Sequence, residues 1–79
     1  MSEFTIVKTL DVKGLLCPIP VLKAKRAIGE IQTGEVLEIL STDPGSKGDI
    51  PVWARRTGHE VLEIKEDGDL LTFYIRRGR

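Results

Sequence analysis

Residues 4–40 read FTIVKTLDVKGLLCPIPVLKAKRAIGEIQTGEVLEIL, and this stretch decides the fold. Apolar and polar side chains alternate over residues 4–10, which is the period of a β-strand. Apolar side chains then recur at helical spacing over residues 18–28, and the aliphatic run 36–40 predicts a second strand. A helix that connects two such strands indicates a parallel strand–helix–strand unit.

The predicted first helix opens on Cys17-Pro18-Ile19-Pro20. Proline is tolerated in a first turn because the N–H groups there have no partner within the helix. Gly29 or Gly34 is expected near the end of this helix. Gly14 interrupts the preceding strand, and we expect it to allow a tight turn close to the cysteine.

A second helix follows the turn cluster at residues 42–46. Its start is ambiguous, because either Asp49 or Ser46 can cap it. Pro51 favours Asp49, since a later proline would cost a helical hydrogen bond. Gly58 is the expected residue after its end. One face of the helix carries residues at i, i+3, i+4 and i+7, namely Ile50, Trp53, Ala54 and Thr57.

Two further strands are predicted at residues 61–64 and 70–75, joined by a hairpin at Asp67-Gly68. The predicted order is therefore β-α-β-α-β-β. Two helices on one face of a four-stranded mixed sheet are the simplest packing for this order, which makes the fold an α+β, two-layer α/β sandwich. A chain of 79 residues is expected to form one domain over residues 1–79.

Composition excludes several classes of function. The chain has 12 basic and 12 acidic residues, so its formal net charge is zero, which argues against whole-domain attraction to nucleic acid. No apolar stretch approaches the roughly 18 residues of a membrane span, and the N-terminus lacks the pattern of a secretory signal. Since a small secreted domain usually carries several cysteines and this chain has one, we expect a cytoplasmic protein.

The stretch LDVKGLLCPIP at residues 10–20 resembles the signature of the TusA/SirA-like sulfur-carrier family, whose hallmark is Cys-Pro-x-Pro at the start of the first helix. The resemblance extends over nearly the whole chain. It continues through GEVLE at 34–38, DPGS at 43–46, DIP at 49–51, GHE at 58–60 and IRR at 75–77.

This resemblance implies a sandwich like the C-terminal domain of translation initiation factor 3, with sheet order 1-2-4-3. It implies a persulfide on Cys17, no other cofactor, and a sulfurtransferase that acts more as a carrier than as a classical enzyme. The implied partners are a sulfur donor (a cysteine desulfurase or a rhodanese) and a sulfur acceptor (a DsrE-type protein or a tRNA thiolase). Destinations in the family include tRNA thiolation, cofactor synthesis and sulfur metabolism. We expect a monomer.

Cys17 has two interpretations. The Cys-Pro pair alone favours a buried, apolar cysteine, the commonest state of a free thiol, whereas the resemblance favours a reactive one. A helix N-terminus lowers the pKa of a cysteine thiol. Because Pro18 and Pro20 have no N–H to offer the sulfur, we expect only a modest lowering. The two prolines also stiffen the turn that presents the sulfur.

Other candidate residues surround this motif. Asp11 is expected to cap the loop, although orienting the loop or relaying a proton are alternatives. Five cations on the helices form either a solvated face or a docking surface for a partner: Lys23, Lys25, Arg26, Arg55 and Arg56.

The remaining candidates are interpreted as structural. His59 reads as a helix-to-strand junction residue and Trp53 as core. One Cys and one His do not make a zinc site, so no metal is expected. The basic tail at residues 76–79 is expected to fray.

Two alternative functions stay open. A thiol-based redox or regulatory module would want a second cysteine at position 20, where Pro20 stands. An RNA-binding domain is the other, and zero net charge and the lack of an aromatic pair for stacking count against it.

Overall fold

The computed structural model describes residues 4–79. Residues 1–3, part of the N-terminal stretch interpreted as lacking a secretory signal, lie outside the described residues. The elements follow the predicted order: β1 (Ile6–Asp11), α1 (Ile19–Ile28), β2 (Val36–Ser41), α2 (Ser46–Arg56), β3 (Glu60–Asp67) and β4 (Leu70–Arg76).

The four strands form one mixed sheet in the order β1-β2-β4-β3. β1 and β2 run parallel, while β4 runs antiparallel to both β2 and β3. The tight turn after β3 contains Gly68 at a φ of +60°. The sheet order, the parallel pair and the final hairpin all confirm the predicted α+β architecture.

Both helices pack on the same face of the sheet, where a single core forms. Alternate residues of β2 and β4 point into it, and they meet apolar side chains from the helices. These include Leu37, Ile39, Leu71, Phe73 and Ile75 from the strands, Ala24, Ala27 and Ile28 from α1, and Ile50, Trp53 and Ala54 from α2. Because β1 and β2 are parallel, the segments that leave their carboxyl ends lie side by side at one edge of the sheet.

The second helix begins at Ser46, so the prediction that Asp49 caps it was wrong. The earlier start is held by buried polar contacts: the Ser41 and Ser46 hydroxyls lie 2.9 Å apart, and the Asp49 N–H already donates to the Gly45 carbonyl at 3.0 Å. Pro51 therefore stands inside the helix and removes one backbone hydrogen bond. Its ring is buried, and that packing offsets the loss.

The basic tail is bound to the body of the protein, so the expectation that it frays was also wrong. The Gly34 N–H donates to the Arg77 carbonyl at 2.7 Å, and the Arg77 N–H donates to the Glu35 carbonyl at 2.9 Å. The Gly78 N–H then donates to His59 Nδ1 at 3.0 Å. Burial, followed by the charges of Arg77 and of the neighbouring Arg79, lowers the pKa of His59. This agrees with a neutral imidazole that accepts the bond.

Candidate functional site

The loop that carries Cys17 is anchored to the segment that follows β2. The Val12 N–H donates to the Leu40 carbonyl at 2.9 Å, and the Gly14 N–H donates to Thr42 Oγ1 at 2.9 Å. Gly14 has a φ of +82°, which confirms that the tight turn needs glycine. The loop therefore has a defined path across the sheet edge, and it delivers Cys17 to the start of α1.

A single buried carboxylate completes this anchorage. Asp43 Oδ2 accepts the backbone N–H of Cys17 at 2.9 Å, and Asp43 Oδ1 accepts the N–H of Gly45 at 3.1 Å. Asp43 is only 8% exposed. The sequence pattern predicted only a turn cluster around Asp43 and did not reveal that its carboxylate anchors the Cys17 loop. The available signal was the parallel pairing of β1 and β2, which predicts that the loops after them meet.

The Cys17 side chain is exposed, so the interpretation as a buried apolar cysteine is wrong. Its thiol donates to Asp49 Oδ2 at 3.0 Å. Asp49 lies in the first turn of α2, whereas Cys17 lies just before the start of α1. Because Asp49 was assigned to capping, its contact with the thiol was also missed.

The surroundings of Cys17 raise the pKa of its thiol, so the predicted lowering was wrong. The largest cause is the hydrogen bond to the Asp49 carboxylate, followed by partial desolvation and then by the negative charges of Asp49 and Asp43. Cys17 also precedes Pro18, the N-cap of α1, and prolines offer the sulfur no N–H. The nearby carboxylates therefore outweigh the dipole of the helix.

An open groove runs from Cys17 along α2, with a volume of about 670 Å³. Its walls come from the first turn of α1 and from one side of α2, and they include Pro18, Val21, Asp49, Val52, Trp53 and Arg56. Among these wall side chains, Val21 is half-buried and Val52 is exposed. The sulfur thus lies at one end of a surface that is accessible to a second molecule.

The supporting residues of the predicted site have separate roles. Asp11 accepts the Lys13 N–H at 3.0 Å, and its other oxygen lies 3.8 Å from Lys13 Nζ. Both contacts favour the loop-capping interpretation. Pro20 is fully buried beneath the first turn of α1, so it contributes to packing as well as to stiffness.

The five predicted partner-binding cations do not form one surface. Lys23 and Arg26 line a shallow depression beside β1, next to an ion pair at 3.2 Å between Lys8 and Glu30. Of the five, Arg56 is the one that lines the groove of Cys17. The other two, Lys25 and Arg55, are exposed outside both surfaces.

Trp53 and His59 have the predicted structural positions. The Trp53 indole is 8% exposed, and its ring centroid lies 5.6 Å from that of His59. Residues 4–79 contain no group of three or more His, Cys, Asp or Glu side chains that could hold a metal ion. Over the same residues, neither helix has the length and apolar character needed to cross a membrane.

Comparisons with known proteins extend over nearly the whole chain. A family model described as sulfurtransferase TusA matches residues 8–77. Identity to YrkI of Bacillus subtilis (strain 168) is 44% over 71 residues, which covers 90% of this chain and 95% of YrkI. Identity to the sulfur carrier protein TusA of Allochromatium vinosum is 43% over 77 residues, which covers 98% of this chain and 99% of that protein.

A solved structure shares the fold. The crystal structure of a SirA-like protein from Desulfitobacterium hafniense matches with a TM-score of 0.78 and 28% identity, covering 91% of this chain and 99% of that one.

We predict that replacing Asp49 lowers the pKa of the Cys17 thiol. Asp49→Asn removes both a negative charge and the strongest acceptor of the S–H group, so the thiolate becomes easier to form. The pH dependence of iodoacetamide alkylation measures this. The midpoint of the natural protein should lie above the free-cysteine value of about 8.5, and that of the variant should lie below the natural midpoint.

Asp11→Asn is the matched control, because it removes an exposed carboxylate whose contacts are with Lys13. Its alkylation midpoint should not move. If the midpoint shifts in Asp11→Asn and stays fixed in Asp49→Asn, proton exchange at Cys17 would instead be assigned to Asp11.

We also predict that Asp43→Ala destabilises the fold. The change leaves two backbone N–H groups, those of Cys17 and Gly45, without their carboxylate acceptor, at a cost of about 1–3 kcal/mol. Urea denaturation measures the free energy of unfolding. The exposed Asp11→Ala should cost no more than about 0.5 kcal/mol. Equal losses from the two variants would show that Asp43 is not an anchor.

Proposed function

We propose that this chain, which belongs to the TusA family of sulfur carriers, holds a persulfide on Cys17 and relays sulfane sulfur between protein partners. The observation that carries the proposal is the placement of Cys17. Its side chain is exposed, its loop is anchored, and its sulfur lies at the end of an open groove. This is the arrangement expected of a group that must meet the sulfur of another protein.

Loading is an exchange between two sulfur compounds. The Cys17 thiolate attacks the outer sulfur of a donor persulfide, R–S–SH, and a new S–S bond forms at Cys17 Sγ. The S–S bond of the donor breaks, and its electron pair stays on the donor sulfur, which takes up a proton to become R–SH. The products are the Cys17 persulfide and a thiol, so no external oxidant or reductant is required. Delivery is the same exchange with an acceptor thiol as the attacking group.

Asp49 is placed to handle the proton in this exchange. Its Oδ2 accepts the S–H hydrogen bond of Cys17, so the carboxylate lies where the proton leaves when the sulfur attacks. In the proposed mechanism, Asp49 accepts this proton as the Cys17 sulfur attacks and passes it to the departing donor sulfur. During delivery it passes the proton of the acceptor thiol to Cys17 Sγ. The thiol stays protonated at rest because the same carboxylate raises its pKa.

The single cysteine favours a relay over dithiol redox chemistry. The sequence contains one cysteine and carries Pro20 where a Cys-x-x-Cys motif would have its second thiol. Sulfur held on Cys17 therefore has no internal thiol to displace it. An external thiol must receive it, and this is the behaviour of a carrier.

The proposed partners are a cysteine desulfurase or rhodanese as donor, and a DsrE-type protein or tRNA thiolase as acceptor. We place this exchange in the cytoplasm, where thiols are kept reduced. The exposed cations of the two helices are the proposed contacts for acidic partner surfaces. They are Lys23, Lys25, Arg26, Arg55 and Arg56.

Persulfide loading tests the central proposal. Incubation with a cysteine desulfurase and cysteine should add about 32 Da, the mass of one sulfur, and a reductant should remove it. Intact-protein mass spectrometry measures the gain. Cys17→Ser should lose it while keeping the circular dichroism spectrum of the natural protein, because the site is an exposed turn. The same mass gain in Cys17→Ser, or no gain with either a desulfurase or a rhodanese, would reject Cys17 as the carrier.

A double charge reversal tests docking through α1. Lys23→Glu with Arg26→Glu should weaken binding to a donor protein and reduce the salt dependence of that binding, since both cations are exposed on one face. Isothermal titration at two salt concentrations measures this. The control reverses Lys47 and Lys65, which are exposed outside α1. Unchanged binding in the α1 variant would assign Lys23 and Arg26 to a solvated surface.

A further inference from the structure

We propose that the groove between α1 and α2 binds an extended segment of the sulfur-exchanging partner, with the partner's cysteine at Cys17 and a partner carboxylate at Arg56. This inference rests on the proposed sulfur exchange and adds a specificity rule to it. The rule is that a carboxylate lies four residues from the reacting cysteine, with an apolar side chain between them.

The groove is continuous with the reacting atom. Cys17 lines one end of it, and the walls beyond are apolar, formed by Val21, Val52 and Trp53. Val52 is 48% exposed although it belongs to a packed helix. An apolar side chain that follows the partner's cysteine would cover this surface and gain by its removal from water.

The charge at the far end selects the chemistry of the occupant. Arg56 lines the groove there, and within residues 4–79 it makes no ion pair. Four other cations of the described residues are ion-paired, among them Lys47 with Glu66 at 2.8 Å and Arg76 with Glu60 at 3.1 Å. What distinguishes Arg56 is its position, because it is the cation among the residues that line the groove. The Cys17 end carries the carboxylate of Asp49 instead. A bound carboxylate is therefore complementary to the Arg56 end and is repelled from the Cys17 end.

The length of the groove sets the spacing. Asp49 and Arg56 are seven residues apart on one helix, which is about 10 Å at 1.5 Å per residue. An extended chain covers that distance in about three residues. A residue two positions from the cysteine shares its side of an extended chain and faces the apolar wall. The first position beyond about 10 Å that lies on this same side is the fourth, so a glutamate four positions away meets the guanidinium.

Mixed-disulfide formation with short peptides tests this rule without any sulfur donor. The probe is Ala-Cys-Ala-Leu-Ala-Glu-Ala with blocked ends, whose cysteine carries a neutral 2-thiopyridyl group. Cys17 thiolate attacks the peptide sulfur and forms a new S–S bond. The leaving group departs with the electron pair of the broken bond and takes up a proton as pyridine-2-thione, which is followed by its absorbance. The reversed order, Glu-Ala-Leu-Ala-Cys, is measured as well, because the charges do not fix the chain direction.

We expect the glutamate peptide in one of the two orders to react about three- to fivefold faster than its glutamine counterpart at low salt, the range of an exposed ion pair. This ratio should approach one at about 0.5 M salt, where the Debye length is short. It should also approach one in Arg56→Gln. The matched control is Lys47→Gln, which removes the same charge from the same helix outside the groove, and it should keep the ratio of the natural protein.

Three results would overturn the inference. One is an equal rate for the glutamate and glutamine peptides in both orders. Another is a ratio that falls as far in Lys47→Gln as in Arg56→Gln, which would indicate general charge attraction. The third is a dimer in sedimentation equilibrium that Arg56→Gln dissociates, which would assign the groove to a second copy of the chain. Persulfide loading of the same proteins by a desulfurase separates the two proposals, because intact loading with no peptide preference rejects the groove rule alone.

Discussion

The two hydrogen bonds accepted by the Asp43 carboxylate are the constraint on which the rest of the site depends. One joins Asp43 to the backbone of Cys17, and the other joins it to Gly45 at the start of the second helix. The carboxylate is buried, so its bonds are protected from competition by water. The reactive loop and the second helix consequently share one anchor. This fixes where the Cys17 sulfur lies relative to Asp49 and to the groove.

Electrostatics at the sulfur follow from that placement. A helix N-terminus carries roughly half a positive charge spread over several N–H groups, and prolines remove some of them here. The Asp49 carboxylate has a full negative charge and accepts directly from the thiol at 3.0 Å. The full charge at contact distance therefore decides the direction in which the pKa moves. Position at a helix start is an insufficient guide to thiol acidity when a second helix supplies an acid.

The sequence predicted what depends on local periodicity and on family resemblance. The order of elements, the parallel first pair, the final hairpin and the face of Trp53 all follow from such patterns. The errors involve contacts between distant positions. The bonds of Cys17 to Asp43 and Asp49 span 26 and 32 residues, and a periodic pattern does not reveal such pairs. The start of the second helix was misjudged for a similar reason, because a local proline rule ignored the buried Ser41–Ser46 contact.

The Cys17–Asp49 hydrogen bond has a consequence for chemical selectivity. Peroxides and other small oxidants attack thiolates, so a cysteine kept as a thiol reacts with them slowly even when it is exposed. An exposed sulfur would otherwise be a hazard on a protein that cannot hide it in a deep pocket. The Cys17 sulfur is accessible, but its thiolate form is suppressed. Small oxidants can therefore reach the sulfur and still react with it slowly. In the proposed relay, reactivity then belongs to the encounter complex, and the unloaded carrier reacts slowly with small oxidants while it diffuses.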